Sequence, residues 1–141
     1  MDKFDELKIT RRWQHSGAVE LVGDRRWAEV LYDLAAPYAG HNCTLGVATY
    51  LGAADHWLGV LAGVAGRFTD AASHLEAALR RHQDMRSRPM TALTQEAYSR
   101  VLSMRGEAAD IERARGLTAA ATRTAEELGL AAISDRLRQR G

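Results

Sequence analysis

Small residues recur in this chain at a fixed distance. Ala28, Ala71 and Ala114 stand 43 residues apart, and so do Ala35, Ala78 and Ala121. Tyr32, Leu75 and Thr118 keep the same interval, Thr118 being the poorest match. A glycine precedes each set. These are Gly23, Gly66 and Gly106, with the last step shortened to 40 residues, and a longer connection within 107–112 restores the register. An alanine-rich composition explains matching alanines but not matching glycine stops. A period of a few tens of residues marks an array of like supersecondary units, each burying a face that it cannot bury alone.

The units read as helical. The chain has 141 residues with only two prolines, and it is rich in Ala, Leu, Arg and Glu, all strong helix formers. That length predicts one domain, with repeats at about 3–37, 43–86 and 88–129 and a terminal helix over 130–140. Gly23 suits a left-handed helix stop, and Asp24 caps a helix from about Arg25 to Ala36, which Pro37 ends. Asn42 is positioned to cap a short helix from Cys43 to Leu51, and Ala53 to Ala65 follows, as a separate helix or as the continuation of a kinked one. Gly59 and Gly63 share a face of that helix, where a neighbouring backbone approaches closely. Phe68 to Met85 buries Phe68, Ala71, Ala72, Leu75, Ala78 and Leu79. Ser87 caps a helix to about Arg105, Asp110 caps one to Leu128, and Gly129 ends it. The expected fold is all-α, a right-handed solenoid of about three antiparallel helix pairs.

Charge and motifs exclude several classes. Nineteen basic against eighteen acidic residues give a net charge of +1, so no global field points to nucleic acid. The Arg pairs at 11–12, 25–26 and 80–81 read as solvated helix faces. A single cysteine, Cys43, allows no intrachain disulfide and suits a reducing compartment. The first residues carry no apolar signal core, and the run from Leu58 to Ala65 is short of a membrane span, so the expected location is cytoplasmic. His41 and Cys43 are two metal ligands where zinc needs three or four, so no metal or cofactor is expected. Asp55 and His56 are adjacent on a helix and point about 100° apart, so they form no catalytic dyad with each other. The expectation is a non-enzymatic protein.

The helical repeat resembles the tetratricopeptide pattern. Leu58-Gly59 stands at its Leu-Gly pair, Ala71 and Leu75 at its A-x3-F step, and Ala78 at the later small position. Asp55 and Ala62 occupy the places of its Trp and Tyr, and the 43-residue period exceeds the usual length of about 34. The block from Leu34 through Pro37, Tyr50-Leu51-Gly52 and Trp57 to Arg67, continued by His74 to Leu79 and Ser87-Arg88-Pro89, is similar to something more particular. It resembles the C-terminal tetratricopeptide-like region of large bacterial signalling ATPases joined to LuxR-type DNA-binding or nucleotide cyclase domains. That resemblance implies a protein-interaction or sensor module of a signalling or transcription regulator. The chain itself has no G-x4-G-K-[ST] phosphate loop.

In such an array the first helix of each pair lines a concave face, which assigns partner binding to His15, Asp55, His56 and Gln95. The alternative is a small-molecule effector pocket between helix pairs, with Tyr50, Trp57 and Tyr98 on its walls. The first pair has no helix before it. Phe4, Leu7 and Trp13, with Trp27 and Leu31, therefore form an apolar patch expected to contact an upstream domain or to make a homodimer.

Overall fold

The computed structural model describes residues 19–20, 22–45 and 49–140. They are mostly helical, with one small two-stranded sheet. The elements are α1 (Arg25–Ala35), a 3-10 turn (Ala36–Tyr38), β1 (Asn42–Leu45), β2 (Thr49–Ala53), α2 (Ala54–Val64), α3 (Phe68–Asp84), α4 (Arg88–Arg105), α5 (Ala108–Leu128) and α6 (Ala131–Arg140). The chain divides into two compact units, Met1–Ala78 and Leu79–Gly141. The expected contacts Phe4, Leu7 and Trp13, and the expected binding residue His15, lie outside the described residues.

In the first unit Asp24 caps α1 as its position predicts. Its Oδ1 accepts from the backbone N–H groups of Arg26 and Trp27 at 3.0 and 3.2 Å. α1 buries Ala28, Tyr32 and Ala35 and packs against α2. Helix α2 is buried on nearly every side, with Leu58, Leu61 and Ala62 wholly enclosed. It ends in a reversal that Gly66 permits, with φ of +79°. There Arg67 N–H reaches back to the Ala62 carbonyl at 2.8 Å and closes the end of the helix before α3 begins.

The expected short helix from Cys43 to Leu51 is instead an antiparallel hairpin. Asn42 pairs with Ala53, Cys43 with Gly52, and Thr44 with Tyr50. Asn42 therefore starts a strand rather than capping a helix. Leu51 is the extra residue of a bulge, and Gly52, at φ +98°, makes the bend. The bulge leaves the Leu51 carbonyl to accept the Trp57 indole N–H at 3.1 Å. Thr44, Thr49 and Tyr50 are β-formers, which favour this outcome over a helix.

In the second unit α4 packs along α5, and α6 packs on both. Ala92, Ala125 and Ile133 form the buried centre, with Leu93, Leu130 and Leu137 against it. Two expected caps are replaced. Ser87 precedes α4 but makes no side-chain cap bond. Asp110 lies inside the first turn of α5, where Arg105 Nε and Nη2 donate to its two carboxylate oxygens at 2.7 and 2.6 Å.

The 43-residue pattern coincides with repeated local structure. All six matched alanines lie buried in helices, and Gly23, Gly66 and Gly106 all have positive φ. Of the matched third set, Tyr32 and Leu75 are buried and Thr118 is half-buried.

Gly59 is the position of closest helix approach. A Cβ there would stand 2.4 Å from Leu75 Cγ and 3.2 Å from the Ala71 carbonyl oxygen. Gly59→Ala is expected to cost about 1–3 kcal/mol through overpacking. Gly116 lies within α5 with nothing near its Cβ direction. Gly116→Ala is expected to add about 0.4–1 kcal/mol. Urea unfolding of the two variants should therefore move the midpoint in opposite directions.

Candidate functional site

The largest polar cluster in the first unit is a hydrogen-bonded chain across three helices. Asp55 sits in the first turn of α2, where the helix dipole favours a negative charge. Its Oδ2 accepts the Gly40 backbone N–H at 2.8 Å, and its Oδ1 lies 2.8 Å from Nδ1 of His74 on α3. Nε2 of His74 lies 2.9 Å from the hydroxyl of Tyr32 on α1. An ionised carboxylate only accepts, so the imidazole proton belongs on Nδ1. In neutral His74 the Nε2 atom then accepts, and Tyr32 donates. The Arg67 guanidinium covers the Tyr32 ring at 4.3 Å and pairs with Asp70 and Asp33 at 2.8 and 3.7 Å.

This connectivity of carboxylate, imidazole and hydroxyl is that of a nucleophilic triad. The electrostatics differ. Burial, with Asp70 next in weight, raises the Tyr32 pKa, so the phenol stays protonated and donates. The neighbouring Cys43 is buried, and its thiol is pushed up to about 12 by burial and by the Asp55 charge, which keeps it from acting as a thiolate. The chain of bonds therefore ties α1, α2, α3 and the Gly40 loop together. The partners stand 15, 19 and 42 residues apart, so no local sequence pattern joins them.

Asp55 and His56 are buried rather than displayed, and the His56 ring packs edge-on to Trp57 at 4.8 Å. Gln95 is half-buried, with a buried Oε1 that meets no hydrogen-bond donor. Of the predicted pocket aromatics, Tyr98 is buried, with Arg113 5.2 Å from its ring centre, and Tyr50 and Trp57 are half-buried. Among the described residues no three His, Cys, Asp or Glu side chains gather as a metal site. No described helix is long and apolar enough to cross a membrane.

The second unit holds further buried polar groups, Glu96 and His82 among them, and an open surface. Glu96 is wholly enclosed within α4. Arg140 of α6 donates to its Oε1 at 2.7 Å, and Arg136 lies 3.8 Å from its Oε2. His82, also enclosed, has Nδ1 3.0 Å from the Thr94 hydroxyl. Beside α5 runs an open groove of about 470 Å³, lined by Leu102, Ser103, Ile111, Ala114, Arg115 and Thr118 among others. A second, of about 330 Å³, shares Thr118 and continues past Thr122 to Leu137 and Arg138. None of the predicted aromatics lines either groove.

No protein-family model, curated protein or solved structure matches the chain.

Two outcomes follow from these buried groups. Asp55→Ala strands the Gly40 N–H and the His74 proton, and is expected to cost about 2–4 kcal/mol. Tyr32→Phe removes only the end of the chain, at about 1 kcal/mol. Urea titrations should rank the two in that order. The second outcome concerns pH. Desolvation lowers His82 from 6.5 to about 4, with the Met90 backbone opposing and Arg81 assisting. The unfolded chain then binds the proton more tightly. Stability is therefore full above pH 6.5 and falls by about 1.4 kcal/mol per unit as pH drops towards 4. Arg105 holds Asp110 below the ordinary 3.8, so that carboxylate loses its contribution only at lower pH. His82→Asn should flatten the stability profile between pH 6.5 and 4.5 relative to the parent chain.

Proposed function

We propose that the chain is a non-enzymatic helical interaction module, and that the groove along α5 receives an amphipathic helix of a protein partner. The carrying observation is the line of Ile111, Ala114, Thr118 and Thr122 on one face of α5, along the two grooves that meet at Thr118. Residues spaced by three and four positions form a ridge against which a second helix lies. The small side chains of Ala114 and Thr118 admit that helix closely, and the exposed Ile111 adds apolar contact. Arg115 lines the first groove, and Arg138, with Glu126, lines the second; each arginine also pairs with an acid of its own helix, Glu112 and Asp135, so an acidic residue of the partner helix competes with those pairs.

The repeated glycine stops and buried alanines support a wider reading, in which the helix pairs stack as a right-handed tetratricopeptide-like solenoid. On the same reading the module serves a bacterial signalling or transcription regulator. The ground for that is the likeness of the block from Leu34 to Arg67 to the repeat regions of such proteins.

The test uses a displayed library of amphipathic helical peptides. Enriched binders should carry apolar residues at i, i+3 or i+4, and i+7, with acidic flanks. They should shift the amide resonances of Leu102, Ile111 and Thr118. Thr118→Trp fills the groove and should weaken binding by more than about tenfold, with little change in thermal unfolding. Failure to enrich any helix, or shifts confined to other residues, would overturn the proposal.

A further inference from the structure

We propose that α1 is a self-association surface, through which two copies of the chain pair antiparallel about a two-fold axis near Val30. The proposal is independent of the α5 groove. Helix α1 buries Ala28, Tyr32 and Ala35 on one face. On another it leaves Trp27, Val30 and Leu34 exposed by 60, 48 and 47 per cent, with Leu31 half-buried at the edge. Their spacing of three, four and seven residues makes a continuous seam of the kind that packs helix against helix.

Charge selects the occupant and its direction. Arg26 and Asp33 are seven residues apart, two helical turns, and so flank the seam on the same side. Both are exposed. Asp33 also has Arg67 at 3.7 Å, and its carboxylate remains largely open to water. Arg25 pairs with Glu29 along the helix, away from the seam. A parallel two-fold pair would turn this flank towards the partner's opposite flank, the Leu31 edge, where Arg26 and Asp33 meet no opposite charge. An antiparallel pair sets Arg26 beside the partner's Asp33, and the two-fold axis repeats that match on the same flank. The helix is thus complementary to its own reverse.

The area fits a small interface. The three exposed side chains hold on the order of 300 Å² of apolar surface per copy. Two copies supply roughly 600 Å², against a total of about 1,200 Å² at the low end of specific interfaces, of which somewhat more than half is apolar.

Analytical ultracentrifugation of the full chain, from low to high micromolar concentration, tests this. The expected result is a reversible monomer–dimer equilibrium that weakens as salt is raised. Trp27→Glu should leave a monomer with an unchanged melting temperature, since the side chain is exposed. Arg26→Asp or Asp33→Arg alone should each weaken the dimer by about tenfold or more. The double variant should recover most of the affinity, and a mixture of the two single variants should form a mixed dimer. If Asp33→Arg perturbs folding through its Arg67 contact, Arg26→Asp still gives the decisive reading. A monomer at every concentration would overturn the proposal and leave the seam to a different occupant. A dimer indifferent to Trp27→Glu and to both reversals would also overturn it, because the contact would lie on another surface.

Discussion

A buried carboxylate governs the packing of the first unit. Asp55 carries a charge that water no longer solvates, and burial of such a group is tolerated only where donors replace the lost hydration. The Gly40 N–H and the His74 imidazole supply that replacement, and the N-terminus of α2 adds its dipole. The consequence is geometric. The 3-10 turn after α1, the hairpin, and helices α2 and α3 must all be placed to within a hydrogen bond for the charge to be compensated. Tyr32 extends the same requirement to α1.

Apolar packing is matched to that polar frame. Gly59 lets α3 press against α2 at the level of Ala71 and Leu75, and Leu75 is fully enclosed as a result. Asp55 and His56, on the same helix, are likewise buried. In the second unit the corresponding frame is Glu96. It anchors the short α6 through Arg140 and Arg136, and without tertiary contacts a helix of this length is marginal in water. The two units thus use one device, a buried acid held by donors from distant segments.

The exposed surfaces carry the functional reading because the buried polar groups are occupied. A phenol raised by burial and a thiol pushed up to about 12 are poor nucleophiles. The groove along α5 and the seam on α1 are, by contrast, apolar surfaces at helical spacing. Helices recognise such surfaces by shape and by the charges at their margins, and Arg115, Arg138, Arg26 and Asp33 are placed at those margins.

The sequence by itself determined the helices and where they stop. Left-handed glycines, the Asp24 cap and the apolar stripes act within a few residues, so their effect is legible locally, and α1 to α6 begin and end close to their expected limits. The six alanines at the 43-residue interval are all buried. Tertiary structure decided the rest. Asn42–Leu45 and Thr49–Ala53 became paired strands because cross-strand pairing and the Leu51–Trp57 bond outweigh weak local helix preference. Asp55 and His56 look like surface chemistry in the sequence, and packing made them core. Glu96 meets Arg140 in one unit and His74 meets Tyr32 in the other, across intervals of 44 and 42 residues that no local pattern encodes. Hydrogen bonds between distant segments depend on where the backbone has already been brought, and only the folded chain fixes that.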